Sequence, residues 1–144
     1  MAFEIVQATT SDLDSCARIL FEEFSKCDSG WTLPKAQEII KDIFELHKDL
    51  SFCLKLDGKI IGILFCRSYS YIEGNYISLI EFAVSSEFQG KGFGLKALEF
   101  LESYAKEKGF NVLALQTHAK RQAINLYKKF GFKETGWVCL EKKI

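Results

Sequence analysis

The sequence predicts a mixed α/β domain, and three observations predict it. The apolar segments SFCLKL and KIIGILFCRSYSY flank Asp57-Gly58, a strong hairpin signal, and Glu73-Gly74-Asn75 marks a second turn before YISLIEFAV. Three antiparallel strands are therefore expected from about Ser51 to Val84. The stretch EFAVSSEFQGKGFGLKALEFL, Glu81 to Leu101, then passes from an apolar strand through a glycine-rich loop into a helix. Finally, NVLALQT is reached through that helix, so it should lie parallel to the strand before the loop.

The remaining elements fall into place in order. FEIVQA (3–8) reads as a first strand. Thr9-Thr10-Ser11-Asp12 offers a capping box to a helix whose stripe is Leu13, Cys16, Ala17, Leu20 and Phe24. After the loop KCDSGWTLP, Thr32 can cap a second helix with Pro34 in its first turn, where a missing N–H costs nothing. Ala36, Ile39, Ile40, Ile43 and His47 share one face there. His47, closing an apolar stripe, reads as a boundary residue more readily than as a catalytic one. Ala97, Leu98, Leu101, Tyr104 and Ala105 line the helix after the glycine loop, and Gly109 ends it. QAINLYKKF is a further amphipathic helix ended by Gly131, and WVCLEKKI a final strand. The order β-α-α-β-β-β-α-β-α-β gives one domain over residues 1–144, with the glycine loop near its middle.

Composition narrows the class. At 144 residues the chain can bury a real core, and a single Pro argues against long linkers. Lys+Arg and Asp+Glu balance at 19 each, which gives no reason to expect nucleic acid or an anionic membrane. No signal-peptide pattern opens the sequence, and the longest apolar run is too short to span a bilayer. The 5 Cys are scattered without a C-x-x-C spacing, and the 2 His stand apart, against zinc, a disulfide framework or any bound metal. A cytoplasmic, reduced, soluble protein is expected, with a homodimer left open.

The loop Gln89-Gly90-Lys91-Gly92-Phe93-Gly94 carries the chemistry. Glycines at alternate positions let backbone N–H groups turn inward around an anion. The helix behind adds unpaired N–H groups and the positive end of its dipole. The arrangement suits a diphosphate, although a tight strand-to-helix turn would need the same glycines for geometry alone. The Walker pattern is absent. A dinucleotide fingerprint, and with it an oxidoreductase, can be forced onto Gly92, Gly94 and Ala97. It lacks the acidic residue expected ~20 positions on, and three antiparallel strands precede it.

The loop and one further motif resemble a known family, the Gcn5-related N-acetyltransferases (GNAT). The loop signature Q/R-x-x-G-x-G/A is matched by Gln89, Gly92 and Gly94. The helix signature A-I-x-L-Y-x-K-x-G-F is matched by Ala123, Ile124, Leu126, Tyr127, Lys129, Gly131 and Phe132. The two lie in family order, with a helix and a strand between, and the element order agrees throughout. Two positions depart: Ser86 stands where a proline often follows the fourth strand, and Lys120 where an asparagine usually opens the last helix.

The resemblance implies a mostly antiparallel sheet with one splayed parallel strand pair and helices on both faces. It implies acetyl-coenzyme A as donor and a primary amine as acceptor, a small molecule before a protein N-terminus or lysine. The diphosphate would sit on backbone N–H groups from Gln89 to Gly94, and the pantetheine arm would bond Phe82, Ala83 and Val84 at the splayed edge. An N–H near Phe82 would polarise the thioester carbonyl. An attacking alkylamine has pKa ~10.4 and must lose its proton, so a base is needed. Glu81, the one charged residue inside YISLIEFAV, is the candidate; the alternative is an outward-facing strand residue. Tyr127 would donate to the leaving thiolate, against a reading as a core aromatic with its hydroxyl at the rim. The loop CDSGWTLP and the segment KETGW would bind the acceptor. Asp28, Glu22, Glu23 and Glu134 would suit a cationic amine, and Trp31 and Trp137 would stack on it. A coenzyme-binding regulatory protein without turnover is the remaining class.

Overall fold

A computed structural model describes residues 2–144. Its centre is a five-stranded sheet in the order β1-β2-β3-β4-β5. The strands are β1 (Phe3–Gln7), β2 (Ser51–Leu56), β3 (Lys59–Tyr71), β4 (Gly74–Val84) and β5 (Val112–Leu115). Neighbours pair antiparallel from β1 to β4, and β5 lies parallel to β4. Asp57 and Gly58, at φ 50° and 82°, make the expected two-residue hairpin between β2 and β3.

Helices cover both faces. α1 (Leu13–Phe24) and α2 (Leu33–Leu46) bury Cys16, Leu20, Ala36 and Ile40 against Cys53, Ile63 and Phe65 of the sheet. α3 (Phe93–Lys108) buries Ala97, Leu98 and Leu101 against Leu54, Leu64 and Ile77 on the opposite face. Tyr127 of α4 (Ala123–Phe130) joins that second core. Each fully buried Leu or Ile stabilises by about 1.5–3 kcal/mol, so the two layers fix the sheet from both sides. Thr32 caps α2 through the Lys35 N–H at 3.2 Å, with Pro34 in the first turn. His47 closes that helix and leaves its carbonyl to the Ser51 hydroxyl at 2.8 Å, the boundary role.

Two irregularities in β4 position the site. Phe65 pairs with Glu81 and Cys66 with Leu79, so Ile80 is an extra residue, a β-bulge. Before it, Ile77 and Leu79 face the α3/α4 core; after it, Phe82 and Val84 do. Without the extra residue the period of two would drive Glu81 into that core. The bulge turns Glu81 to the α1/α2 face, where Ala83 also packs. The second irregularity is a divergence. β5 pairs with β4 only over Tyr76–Leu79, yet β4 runs on to Val84. Past Leu79, β4 has β3 on one side and, among the described residues, no strand on the other.

The expected final strand over 137–144 does not form. Residues 133–144 carry no helix or strand, and Trp137, Val138, Leu140 and Ile144 stay exposed. A strand needs a neighbour to satisfy its backbone, which residue types alone do not supply.

Candidate active site

The glycine loop is held from behind by α1. Glu23, only 11% exposed, accepts from the Ser86 N–H at 3.2 Å, the Ser86 hydroxyl at 2.9 Å and the Gln89 side-chain amide at 3.0 Å. Lys26 completes the cluster, 3.1 Å from the Glu23 carboxylate and in contact with the Ser86 hydroxyl. A proline at position 86 would remove both Ser86 donors. The sequence departure at Ser86 is therefore part of how this loop is fixed. Glu23, expected among acceptor-facing acids, is spent on this scaffold.

The loop in front is open. Gly90 and Gly92 sit at φ 74° and 88°, and a Cβ on either would meet no protein atom within 4 Å. From Gly90 to Leu95 no backbone N–H donates to an acceptor among the described residues; the first α3 bond is Lys96 N–H to Gly92 carbonyl, 3.1 Å. Successive unpaired N–H groups at a helix start form an anion-binding concavity. Lys91 is exposed beside it, whereas the Phe93 ring is core, 4.8 Å from Phe3. Gln89, expected to offer its backbone N–H to a diphosphate, instead donates it to the Ser86 carbonyl at 3.2 Å, and its side chain donates to the Val84 carbonyl at 2.7 Å as well as to Glu23.

The loop leads onto the free edge of β4. Ser85 donates to Ile61 of β3 at 2.8 Å, and backbone direction alternates along a strand. Ala83 thus turns its N–H and carbonyl toward β3, while Phe82 and Val84 direct theirs to the open edge. The backbone of Ala83, expected to meet a ligand there, faces its neighbour strand. With the Val84 carbonyl engaged by Gln89, the free groups are the Phe82 N–H and carbonyl and the Val84 N–H.

Glu81 and Tyr127 approach this edge from opposite faces. Burial pushes the Glu81 carboxyl up to about 7, against a smaller downward pull from the Arg121 guanidinium. Its carboxylate makes no hydrogen bond or ion pair among the described residues. On the other side, a Cβ at Gly94 would meet the Leu126 side chain at 3.3 Å, so glycine lets α3 start close against α4. That brings the Tyr127 ring to 6.3 Å from Phe82 and 5.8 Å from Phe132. Burial pushes the Tyr127 phenol up to about 12, with Arg121 opposing. No buried side-chain oxygen or nitrogen among the described residues lacks a partner, and the Tyr127 hydroxyl has none in the protein. The hydroxyl therefore keeps contact with solvent while the ring is core.

The α1/α2 face beside Glu81 is less acidic than expected. Asp28 accepts from the Gly30 N–H at 2.8 Å, and Glu134 pairs with Lys128 at 3.9 Å. Trp137 lies in the irregular tail, 79% exposed. Trp31 stacks on Phe24 at 5.6 Å, and the Arg121 guanidinium lies over the other partner, 4.4 Å from the Phe24 ring. Sequence reading passed over Arg121 because it is one basic residue beside another in the loop before α4; only the topology brings it across to α1. Lys120 is exposed, its N–H held by the His118 ring at 3.1 Å. Among the described residues no group of His, Cys, Asp and Glu could hold a metal, and no helix is long and apolar enough to cross a membrane.

Comparison with known proteins agrees with this fold. The model of the acetyltransferase (GNAT) family matches residues 13–132. An uncharacterized N-acetyltransferase of Bacillus subtilis is 31% identical over 94% of this chain and 95% of its own length. One of Methanocaldococcus jannaschii is 28% identical over 99% of this chain and 67% of its own length. Among solved structures, a possible acetyltransferase from Clostridium difficile superposes with a TM-score of 0.84, covering 100% of this chain and 99% of the other. At 14% identity that likeness speaks for the fold.

Proposed function

The chain belongs to the acetyltransferase (GNAT) family, and from that premise we propose that it moves the acetyl group of acetyl-coenzyme A to the primary amine of a small molecule. Transfer is direct, within a ternary complex, on a single domain spanning residues 1–144. One observation carries the reading: the unpaired edge of β4 runs straight into a loop of unpaired N–H groups. Such an edge needs a partner, and an extended chain ending in a diphosphate satisfies both parts. The coenzyme supplies a thioester, already activated toward amines.

The residues divide the remaining work. N–H groups from Gly90 to Leu95 hold the diphosphate, each charge-assisted bond contributing ~1.5–3 kcal/mol. Phe82 and Val84 align the arm as an added strand, and the Phe82 N–H is available to the carbonyl where negative charge develops. Glu81, with its pKa raised to about 7, takes the proton from an amine that would otherwise stay charged at neutral pH. Tyr127, whose pKa near 12 keeps it protonated, donates to the departing sulfur.

An assay of free thiol release from acetyl-coenzyme A across a panel of primary amines tests the proposal. Amine-dependent release supports it. Coenzyme binding by calorimetry with no release for any amine would make the protein a coenzyme sensor, and binding of NAD in place of the coenzyme would overturn the assignment altogether.

A further inference from the structure

Arg121 has no role in the chemistry above, yet it stands beside it. It is half-buried and takes part in no ion pair among the described residues. Its side chain likewise makes no hydrogen bond to a protein acceptor; only its backbone does, to the His118 carbonyl at 3.0 Å. A guanidinium carries donors in a fixed fork and at such burial ordinarily meets a carboxylate or phosphate. Here the guanidinium centre lies over the Phe24 ring at 4.4 Å, and Phe24 is itself stacked on Trp31. Such a cation–π contact holds the group in place and supplies no oxygen acceptor to its N–H donors. The face it occupies is that of α1, toward which the bulge at Ile80 also turns Glu81.

We propose that Arg121 receives a carboxylate carried by the acceptor, so that the substrate is an amino acid or a similar amine bearing an acid group close to the reacting nitrogen. This rests on the acetyl-transfer reading and specifies its substrate class. Glu81 and Arg121 are near enough for the charge of one to act on the other, yet they form no ion pair. A zwitterion fills that gap with matched ends: its amine gives a proton to Glu81, and its carboxylate takes the bidentate fork of Arg121. The Phe24 and Trp31 rings supply an apolar wall for a side chain. A polyamine would instead bring a second cation against an unneutralised guanidinium, with Glu23 already engaged by Ser86 and Gln89. That is a repulsive element against the cationic acceptors that the acidic residues of the sequence suggest.

The test uses the purified protein with the standard amino acids, their carboxamides and the corresponding decarboxylated amines, read as thiol release. Carboxylate-bearing acceptors should exceed their decarboxylated partners in kcat/KM by about tenfold or more, the scale of a charge-assisted bond. Arg121→Gln should raise the acceptor KM by a similar factor while the coenzyme KM holds, and Arg121→Lys should recover part of the loss. Should the variants fold poorly, the wild-type protein still decides. An amino acid should raise its Tm in the presence of coenzyme A, and the matching decarboxylated amine should not. Equal use of carboxylate and decarboxylated acceptors overturns the proposal while leaving acetyl transfer intact. A rise in coenzyme KM alone reassigns Arg121 to the coenzyme and overturns it as well. Thiol release with no amine at all removes acetyl transfer and this inference together.

Discussion

Glu23 at the end of α1 grips Ser86 through both the backbone N–H and the hydroxyl, across 63 residues of sequence. The clamp sets where the loop starts, and Gln89 repeats it one turn on. Glu23→Ala should therefore weaken acetyl-coenzyme A binding about tenfold without touching the ligand, because the loop's N–H groups must then be ordered on binding. The loss in folding stability should stay near 1–2 kcal/mol, since Ser86 and Gln89 are exposed and water replaces the carboxylate. Ser86→Pro should act in the same direction. Calorimetric affinity that matches the wild type would show the clamp to be irrelevant to binding.

Gly92 caps α3 at φ 88° in open space. The Cβ that Gly92→Val adds meets no protein atom within 4 Å, so its direct cost is backbone strain of about 1–2 kcal/mol, somewhat more for a β-branched residue. A diphosphate held by the loop as proposed would leave no such room. Coenzyme affinity should fall well beyond what the strain explains, by a hundredfold or more if two charge-assisted bonds are lost. Normal affinity in the fraction that remains folded, despite a lowered Tm, would reduce Gly92 to a turn residue.

The antiparallel run from β2 to β4, the Asp57-Gly58 hairpin and the caps of α2 and α3 were legible in the sequence because each is set within a few residues. Glycine spacing and the Tyr127 motif likewise drew attention to the loop of unpaired N–H groups and to the ring that packs beside Phe82. The bulge at Ile80 was not legible: YISLIEFAV reads as unbroken apolar strand, and only pairing with β3 exposes the extra residue that turns Glu81 to the α1/α2 face. The contacts of Glu23 and Arg121 were hidden for a related reason. Each acts across the fold on residues remote in sequence, and a charge on a helix or loop gives no local sign of its partner. The failed strand at 137–144 is the converse case, an apolar pattern whose neighbour never arrives.

Glu81 holds a carboxyl with its pKa raised to about 7, against ~4.3 in an unfolded chain. The folded protein therefore binds this proton more tightly. The stability linked to it is complete below pH ~4.3 and is lost as pH rises through about 7. Glu81→Gln removes that loss, so the variant should melt above the wild type at pH 8.5, by an amount on the order of 2 kcal/mol after allowance for residual solvent contact. The two should converge below pH 5. Activity should move the opposite way, with kcat/KM at pH 7 falling ~10²–10⁴-fold and the defect easing as pH rises and more amine is free. A variant less stable than wild type at pH 8.5 would mean that the buried carboxylate is favourably held, and a flat activity ratio across pH would remove Glu81 as the base.

Tyr127→Phe separates packing from chemistry at one atom. The ring contributes to the core with Phe82 and Phe132, and phenylalanine keeps those contacts. Since the hydroxyl has no partner in the protein, its removal leaves no buried group unpaired. Folding stability and coenzyme affinity should both change by less than about 1 kcal/mol. The departing thiolate, with parent pKa ~8.5, would lose its donor, and general-acid help of that kind is worth ~10²–10⁴ in rate. An interaction made only as the sulfur leaves appears in kcat and kcat/KM equally. The loss should shrink for an acetyl thioester whose thiol is more acidic, because its thiolate needs less assistance. A core aromatic with an idle hydroxyl predicts none of this dependence. Should kcat hold at a pH where the chemical step limits turnover, Tyr127 belongs to the core alone and the proton for sulfur comes from solvent.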